Sequence, residues 1–305
     1  MAQDQDPKVH RISFRLGNLP SLPEVVMKIL SLSEKTASTR EFADLIATDQ
    51  GLAAKVLRLI NSAFYSLRSP VSSLRQASAL LGVRTLKSMA LSVSAIHLFR
   101  RQMPPYDPVR FWRHALAVAL GGPKIARKFG LTCLDEIYVA GLLHDIGAGL
   151  LMQHYPRDYS EVALPASEGT PAALAREAQR FGMNHAELAY TMAAQWRLSP
   201  IIALGLRHHH TPLEALPRDF DASTRGLIQV IQLADIHARR SGYSFGDADR
   251  LDPSQPLPDL GLMPEEAEVL VGDLQKTIEE LETLYLGGEK AGAKAEVKSP
   301  DRQRS

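Results

Sequence analysis

The chain has 305 residues, 45% hydrophobic and 23% charged, which is enough for one large domain or two modest ones around a sizeable core. With 35 basic and 34 acidic residues the net charge is +1, so no global attraction draws it to nucleic acid or an anionic membrane, and neither is expected as a partner. The single cysteine, Cys133, rules out an internal disulfide. The polar start Met1 to Asp6 has no secretory-type apolar segment, and no uninterrupted apolar run reaches bilayer length, so a cytoplasmic protein is expected.

Residues 1–16 read as a polar segment. Leu19-Pro20-Ser21-Leu22-Pro23 then punctuates the chain, and Pro23 can open a helix carrying Val25, Val26, Ile29 and Leu30 at helical spacing. Ser38-Thr39-Arg40-Glu41 has the form of a capping box for a second helix with Phe42, Leu45 and Ile46. A third helix is expected from about Gly51, with Leu52, Val56, Leu59 and Ile60 on one face. Asn61 and Ser62 should bracket the turn after it. Ser69-Pro70 breaks the chain. A helix then runs from about Ser73 to Leu81, stopped by Gly82, and another from about Thr85 to Phe99. Met103-Pro104-Pro105 marks a subdomain boundary, which gives an N-terminal unit over 17–105.

The second unit, 106–240, opens with a helix from about Pro108 to Phe129 that carries His114. One helix is expected from about Leu134 to His154, then a polar connection over Tyr155 to Pro171, and a helix near Ala172 to Phe181. Asn184 and Glu187 form a capping-box-like pair that puts His185 in the first turn of the next helix. Ser199-Pro200 starts a helix that ends in His208-His209-His210, and an amphipathic helix from about Ala222 to Arg240 carries Asp235. A loop over 241–263, a helix over 264–286 and a disordered tail over 287–305 complete the chain. The reading is all-helical throughout.

His144 and Asp145 stand out, flanked by Gly141-Leu142-Leu143 and Ile146-Gly147. A carboxylate at the wall of an apolar core needs a cation or strong hydrogen-bond donors. A divalent metal is one solution, and it requires further ligands. His114, His185, His208, His209 and Asp235 are residues of the right type at wide spacing. Adjacent residues on a helix diverge by about 100°, so His144 and Asp145 cannot act as parallel ligands there. The two oxygens of an Asp could instead bridge two ions. A lone His is more often a satisfied core or surface residue, so His10, His97, His154 and His237 are set aside. His210 is read as part of a solvated helix end, Lys55 and Arg58 as solvated helix charges, and Trp112 and Trp196 as core.

Asp49, Gly51-Leu52, Lys55-Val56-Leu57-Arg58, Asn61-Ser62-Ala63, Ala77 and Leu81-Gly82, with the Leu19 to Pro23 start, resemble the HDOD domain, a bacterial signalling module related to the HD phosphohydrolase superfamily. The resemblance covers about residues 17 to 240. It implies an HD-superfamily helical core preceded by an N-terminal helical HDOD subdomain. Over about residues 110 to 236 the chain also resembles the HD-GYP phosphodiesterases. Their ligand order places a metal site on His114, His144, Asp145, His185, His208, His209 and Asp235. The resemblance implies two divalent transition-metal ions, iron or manganese in preference to zinc or nickel, and a catalytic part for Asp145 if the protein is an enzyme.

The chain departs from those phosphodiesterases where they contact substrate. Ala148 stands where they carry a phosphate-binding Lys. No Gly-Tyr-Pro signature follows the His run, and Arg110 replaces a Glu found in some members one turn before the first His. The expected function is therefore regulatory, through signalling protein partners, with the metal site retained. The alternative is a metal-dependent phosphohydrolase acting on a phosphate-containing small ligand.

Overall fold

The computed structural model describes residues 19–32, 37–62, 65, 67–99, 106–162, 170–244 and 274–287. Its regular structure is helical, and no strand is present among the described residues. In the N-terminal unit the helices are α1 (Glu24–Ser31), α2 (Thr39–Ala47), α3 (Gln50–Ile60) and α4 (Leu74–Leu98). The core that follows contains α5 (Pro108–Lys128), α6 (Leu134–Leu143), α7 (Ile146–His154), α8 (Pro156–Val162), α9 (Thr170–Phe181), α10 (His185–Gln195), α11 (Pro200–His208) and α12 (Ala222–Arg240). A final helix, α13 (Gln275–Glu282), continues into a π turn over Thr283–Gly287.

Local chemistry sets many of these boundaries. Ser38 and Glu41 form the reciprocal capping box on α2, with the Ser38 amide donating to Glu41 at 2.6 Å and the Glu41 amide to Ser38 Oγ at 3.1 Å. Asp49, Asp107 and Asp221 accept backbone amides at the starts of α3, α5 and α12. After α3, Asn61 clamps the chain, donating from Nδ2 to the Leu57 and Val71 carbonyls at 2.9 Å each while Oδ1 accepts the Val71 amide at 2.7 Å. Gly82 sits inside α4 with φ +81°, a left-handed conformation that L side chains resist, so the helix is broken there into the two segments the sequence anticipates.

α4 is long and apolar enough to cross a membrane on length and composition alone. Its apolar residues from Leu86 to Ile96 are instead buried in the protein, where α4 packs on α1, α2, α3 and α6. The core is built on α5, α6 and α12, with α10 and α11 laid against α7, α6 and α12. Trp112 and Trp196 are both buried, and Trp196 Nε1 donates to the Pro20 carbonyl at 2.9 Å, which ties the start of the N-terminal unit to the core. α13 returns to α5, where Arg113 and Glu282 pair at 2.5 Å, and the turn after it packs on α3 and α4.

The stretch over Tyr155 to Pro171 is not simply a connection: α8 forms there, because Pro156 opens rather than breaks a helix and Tyr159 and Val162 bury on one side. The helix expected over Leu134 to His154 is two helices, split at His144-Asp145. The subdomain boundary at Met103 to Pro105, the loop residues 245–263, residues 264–273 of the last expected helix and the expected disordered tail 288–305 lie outside the described residues, as do residues 1–16.

Candidate metal centre

The break between α6 and α7 creates the site. His144 is the last residue with helical torsions (φ −54°, ψ −41°), and Asp145 adopts φ −98°, ψ 12°, the sparsely populated bridge region. The Asp145 side chain makes no cap bond to α7, which frees it to face inward. The two neighbours therefore converge, with His144 Nε2 at 3.1 Å from Asp145 Oδ2. The divergence expected for adjacent residues on an unbroken helix does not apply.

α7 can lie this close to α10 because of Gly147. A methyl there would stand 2.9 Å from the His185 carbonyl carbon and 3.0 Å from the Ala189 amide nitrogen, and would overlap the His185 carbonyl oxygen. α5 delivers His114, α10 His185, the end of α11 His209 and His210, and α12 Asp235. His114 and His144 are 0% exposed, His209 1%, Asp145 2%, Asp235 5% and His185 7%.

The donor atoms fall into two groups, each with all its atoms within 4.8 Å of one another: Asp145, His185, His209 and His210 in one, and His114, His144 and Asp235 in the other. Asp145 joins them. Its Oδ1 faces His185 Nε2 and His209 Nε2, each at 3.4 Å, while Oδ2 faces His114 Nε2 at 3.5 Å and His144 Nε2 at 3.1 Å. Asp235 Oδ1 lies 3.2 Å from His114 Nε2.

Each of four imidazoles is fixed from behind. His114 Nδ1 donates to the Tyr243 carbonyl at 2.7 Å, His144 Nδ1 to Gly141 at 2.8 Å, and His209 Nδ1 to Leu206 at 2.7 Å. His185 Nδ1 donates to a carboxylate, Glu177 Oε2, at 2.8 Å. With Nδ1 protonated and engaged, Nε2 of each ring points into the interior and becomes a metal donor once it carries no proton, the arrangement that holds metal-ligating histidines.

The donor set fits a divalent transition metal. The facing nitrogens are 3.1 Å apart for His114 and His144, 3.4 Å for His185 and His209, and 3.1 Å for His185 and His210. Two nitrogens bound to one tetrahedral ion at about 2.0–2.1 Å stand roughly 3.3 Å apart. Asp145 Oδ2 is buried and has no hydrogen-bond partner, although such an oxygen is costly to leave unsatisfied. Imidazole with carboxylate suits iron, manganese, zinc or nickel rather than magnesium.

In the metal-free chain the imidazoles themselves supply the positive charge that the buried carboxylates need. Burial favours the neutral Asp145 carboxyl, but the His144 charge and the surrounding imidazoles of His114 and His209 more than offset it and hold the group well below the carboxylate range. Burial likewise disfavours the His114 cation, yet Asp145 and Asp235 pull it up to about 10. In His185, Glu177 and Asp145 overcome burial and raise it to about 9. His210 moves the other way, depressed by burial and by the neighbouring His209 and His185. Burial opposes ionisation of Asp235 as well, but Arg239, His114 and His144 keep it low.

Of the seven residues singled out from the sequence, six meet here and His208 does not. His208 ends α11, its Nδ1 lies 3.1 Å from Thr211 Oγ1, and its ring stands edge-on to Phe220 with centroids 5.4 Å apart. His210 takes the inward place instead. Were α11 to continue, His208 and His210 would both lie about 100° from His209. The helix stops at His208 and the turn swings His210 back, bringing its ring to 3.9 Å from that of His209.

Glu177 was not visible as a site residue. It is 3% exposed on α9, and its oxygens also accept the His185 amide at 2.8 Å and the Tyr159 hydroxyl at 3.0 Å. The signal for it is a charge on an apolar face, since Leu174, Glu177 and Phe181 share one side of α9.

Residues 19–212 match the family model described as HDOD domain. The fold is similar to the crystal structure of an HDOD domain protein with unknown function from Geobacter sulfurreducens, with a TM-score of 0.66 and 26% identity over 87% of this chain and 92% of that one. It is also similar to a candidate phosphohydrolase from Shewanella amazonensis (TM-score 0.65, 20% identity, 88% of this chain and 96% of that one). A third similar structure is a candidate signal transduction protein from Marinobacter aquaeolei (TM-score 0.64, 21% identity, 90% of this chain and 62% of that one). An uncharacterised protein of Treponema pallidum is 23% identical over 230 residues, 75% of this chain, and the chain spans only 44% of that relative's length.

Proposed function

The chain belongs to the HDOD domain family, and from that premise we propose that it is a regulatory module whose core is cross-braced by divalent transition metal and which acts by docking a signalling protein. The observation that carries this reading is the position of the cluster. Its ligands come from α5, the α6–α7 break, α10, the end of α11 and α12, and six of them are at most 7% exposed. Metal held by His114, His144, Asp145, His185, His209, His210 and Asp235 would join helices that are distant in sequence, and its binding free energy would add to folding. When bound, the metal supplies positive charge to a core that otherwise concentrates two carboxylates.

Two features support regulation over turnover. Ala148, beside the site on α7, is buried and carries no charge for a phosphate. The cation that does touch the cluster, Arg239, donates from Nε to Asp235 at 2.7 Å and is thereby engaged.

A second reading, a metal-dependent phosphohydrolase, is favoured by Asp145, whose two oxygens face the two halves of the cluster as a bridge between two ions requires. Iron or manganese is the metal proposed for either reading. One experiment separates them. The full chain is loaded with Mn²⁺ or Fe²⁺, and turnover of phosphomonoesters, phosphodiesters and cyclic dinucleotides is measured beside thermal unfolding. The regulatory reading expects metal-dependent stabilisation without turnover. Metal-dependent hydrolysis that disappears in Asp145→Ala overturns it in favour of the enzyme.

A further inference from the structure

The two halves of the cluster are not equivalent. In the half formed by Asp145, His185, His209 and His210, four groups converge. Behind them stands a second buried carboxylate, Glu177, which accepts His185 Nδ1–H at 2.8 Å. Glu177 is held in turn by the His185 amide at 2.8 Å and the Tyr159 hydroxyl at 3.0 Å. Glu177 is a negative charge additional to the Asp145 that the two halves share, and a carboxylate behind an imidazole makes that imidazole a stronger donor.

The half formed by His114, His144 and Asp235 shares Asp145, whose Oδ2 lies 3.1 Å from His144 Nε2, but it has neutral carbonyls behind its histidines, from Tyr243 and Gly141. It also has a built-in cation. Arg239, one turn beyond Asp235 on α12, donates from Nε to Asp235 Oδ1 at 2.7 Å, and the two side chains are only 12% and 7% exposed. That oxygen is the one facing His114 Nε2 at 3.2 Å and His144 Nε2 at 3.8 Å. An ion entering this half meets a guanidinium already seated on its carboxylate, at low solvent exposure where repulsion between cations is poorly screened.

We propose that the halves are unequal metal sites. The Asp145–His185–His209–His210 half holds the resident ion, and Arg239 serves as the cation of the Asp235 half, so a second ion enters only in competition with the guanidinium. This rests on the reading of the cluster as a metal site. Arg239 acts through Asp235 and Glu177 acts through His185, so both are positioning residues.

The test is calorimetric titration of the full chain with Mn²⁺ after stripping and removal of the chelator, with the electron paramagnetic resonance spectrum of bound Mn²⁺ followed in parallel. The native chain is expected to show one tight and one weaker ion, with dissociation constants at least about tenfold apart. Arg239→Gln should strengthen the weak step and leave the tight one in place, whereas Arg239→Lys, which retains the charge, should leave the weak step weak. Glu177→Gln should weaken the tight step by roughly 10- to 100-fold. His185→Ala should remove the tight step and His114→Ala the weak one, so the assignment survives loss of any one variant to misfolding. Two equal sites in the native chain, or an Arg239→Gln isotherm unchanged from native, overturns the inequality. No Mn²⁺ binding by the native chain overturns the metal reading beneath it.

Discussion

Gly147→Ala isolates the contact that brings Asp145 and His185 together. The three nearest neighbours of the new methyl are all backbone: the His185 carbonyl carbon at 2.9 Å, the Ala189 amide at 3.0 Å and the overlapping His185 carbonyl oxygen. Ordinary contact begins at 3.4 Å, so α7 and α10 must part by at least 0.5 Å (3.4 minus 2.9), and by more at the oxygen. Ligand distances in a metal site tolerate about 0.2 Å. The separation therefore exceeds what the Asp145 half can absorb. Overpacking against backbone that cannot rotate away belongs at the upper end of the usual range, about 3 kcal/mol. Alanine favours a helix over glycine by about 1 kcal/mol, which leaves a net loss of about 2 kcal/mol. At roughly 2–4 °C per kcal/mol the melting temperature falls by about 4–8 °C. Differential scanning calorimetry and elemental analysis of the same preparation provide the readouts. A Gly147→Ala protein with native melting temperature and native metal content would refute the reasoning.

Other consequences can be checked separately. His210→Ala should lower Mn²⁺ affinity while His208→Ala leaves it unchanged, because His208 pairs with Thr211 outside the cluster; the reverse order restores the assignment read from sequence. Despite burial, the carboxylates raise His114 to about 10 and His185 to about 9 in the metal-free chain, so filling both halves near pH 7 must displace both protons. That release appears as a dependence of binding heat on the buffer's ionisation enthalpy, and its absence contradicts the charge assignment. Both values lie above the ordinary 6.5, so their contribution to metal-free stability is complete below that pH and is lost as pH rises through about 9 and 10. Asn61→Ala strips both backbone partners from Val71 and should cost about 1–3 kcal/mol in denaturant unfolding, with metal content untouched.

Much of this architecture can be read from local chemistry. Ser38 with Glu41 and Asn184 with Glu187 announce helix starts because the groups they satisfy lie within one turn. Gly82 announces a break because only its backbone tolerates the torsion. The apolar periodicity of α12 places Asp235 among Leu233 and Ala234, and the site residue proves buried there.

What escapes is set by tertiary contact. Leu142-Leu143-His144-Asp145-Ile146 shows no breaker, and the split between α6 and α7 occurs where Gly147 meets α10, far along the chain. Which of three consecutive histidines turns inward depends on where α11 stops, a matter of one residue. Glu177 belongs to the site only because α9 folds back beneath His185, and no spacing encodes that.

The proposed role of the cluster is to hold metal in the folded protein. Its most direct test is the metal content of the chain purified without a metal-affinity step, compared with Asp145→Ala prepared in the same way. The native chain is expected to hold at least one tightly bound transition-metal ion, lost in the variant, and to melt at a lower temperature once a chelator removes it. A native chain that retains no transition metal, and whose melting temperature responds neither to chelator nor to added Mn²⁺ or Fe²⁺, would contradict it.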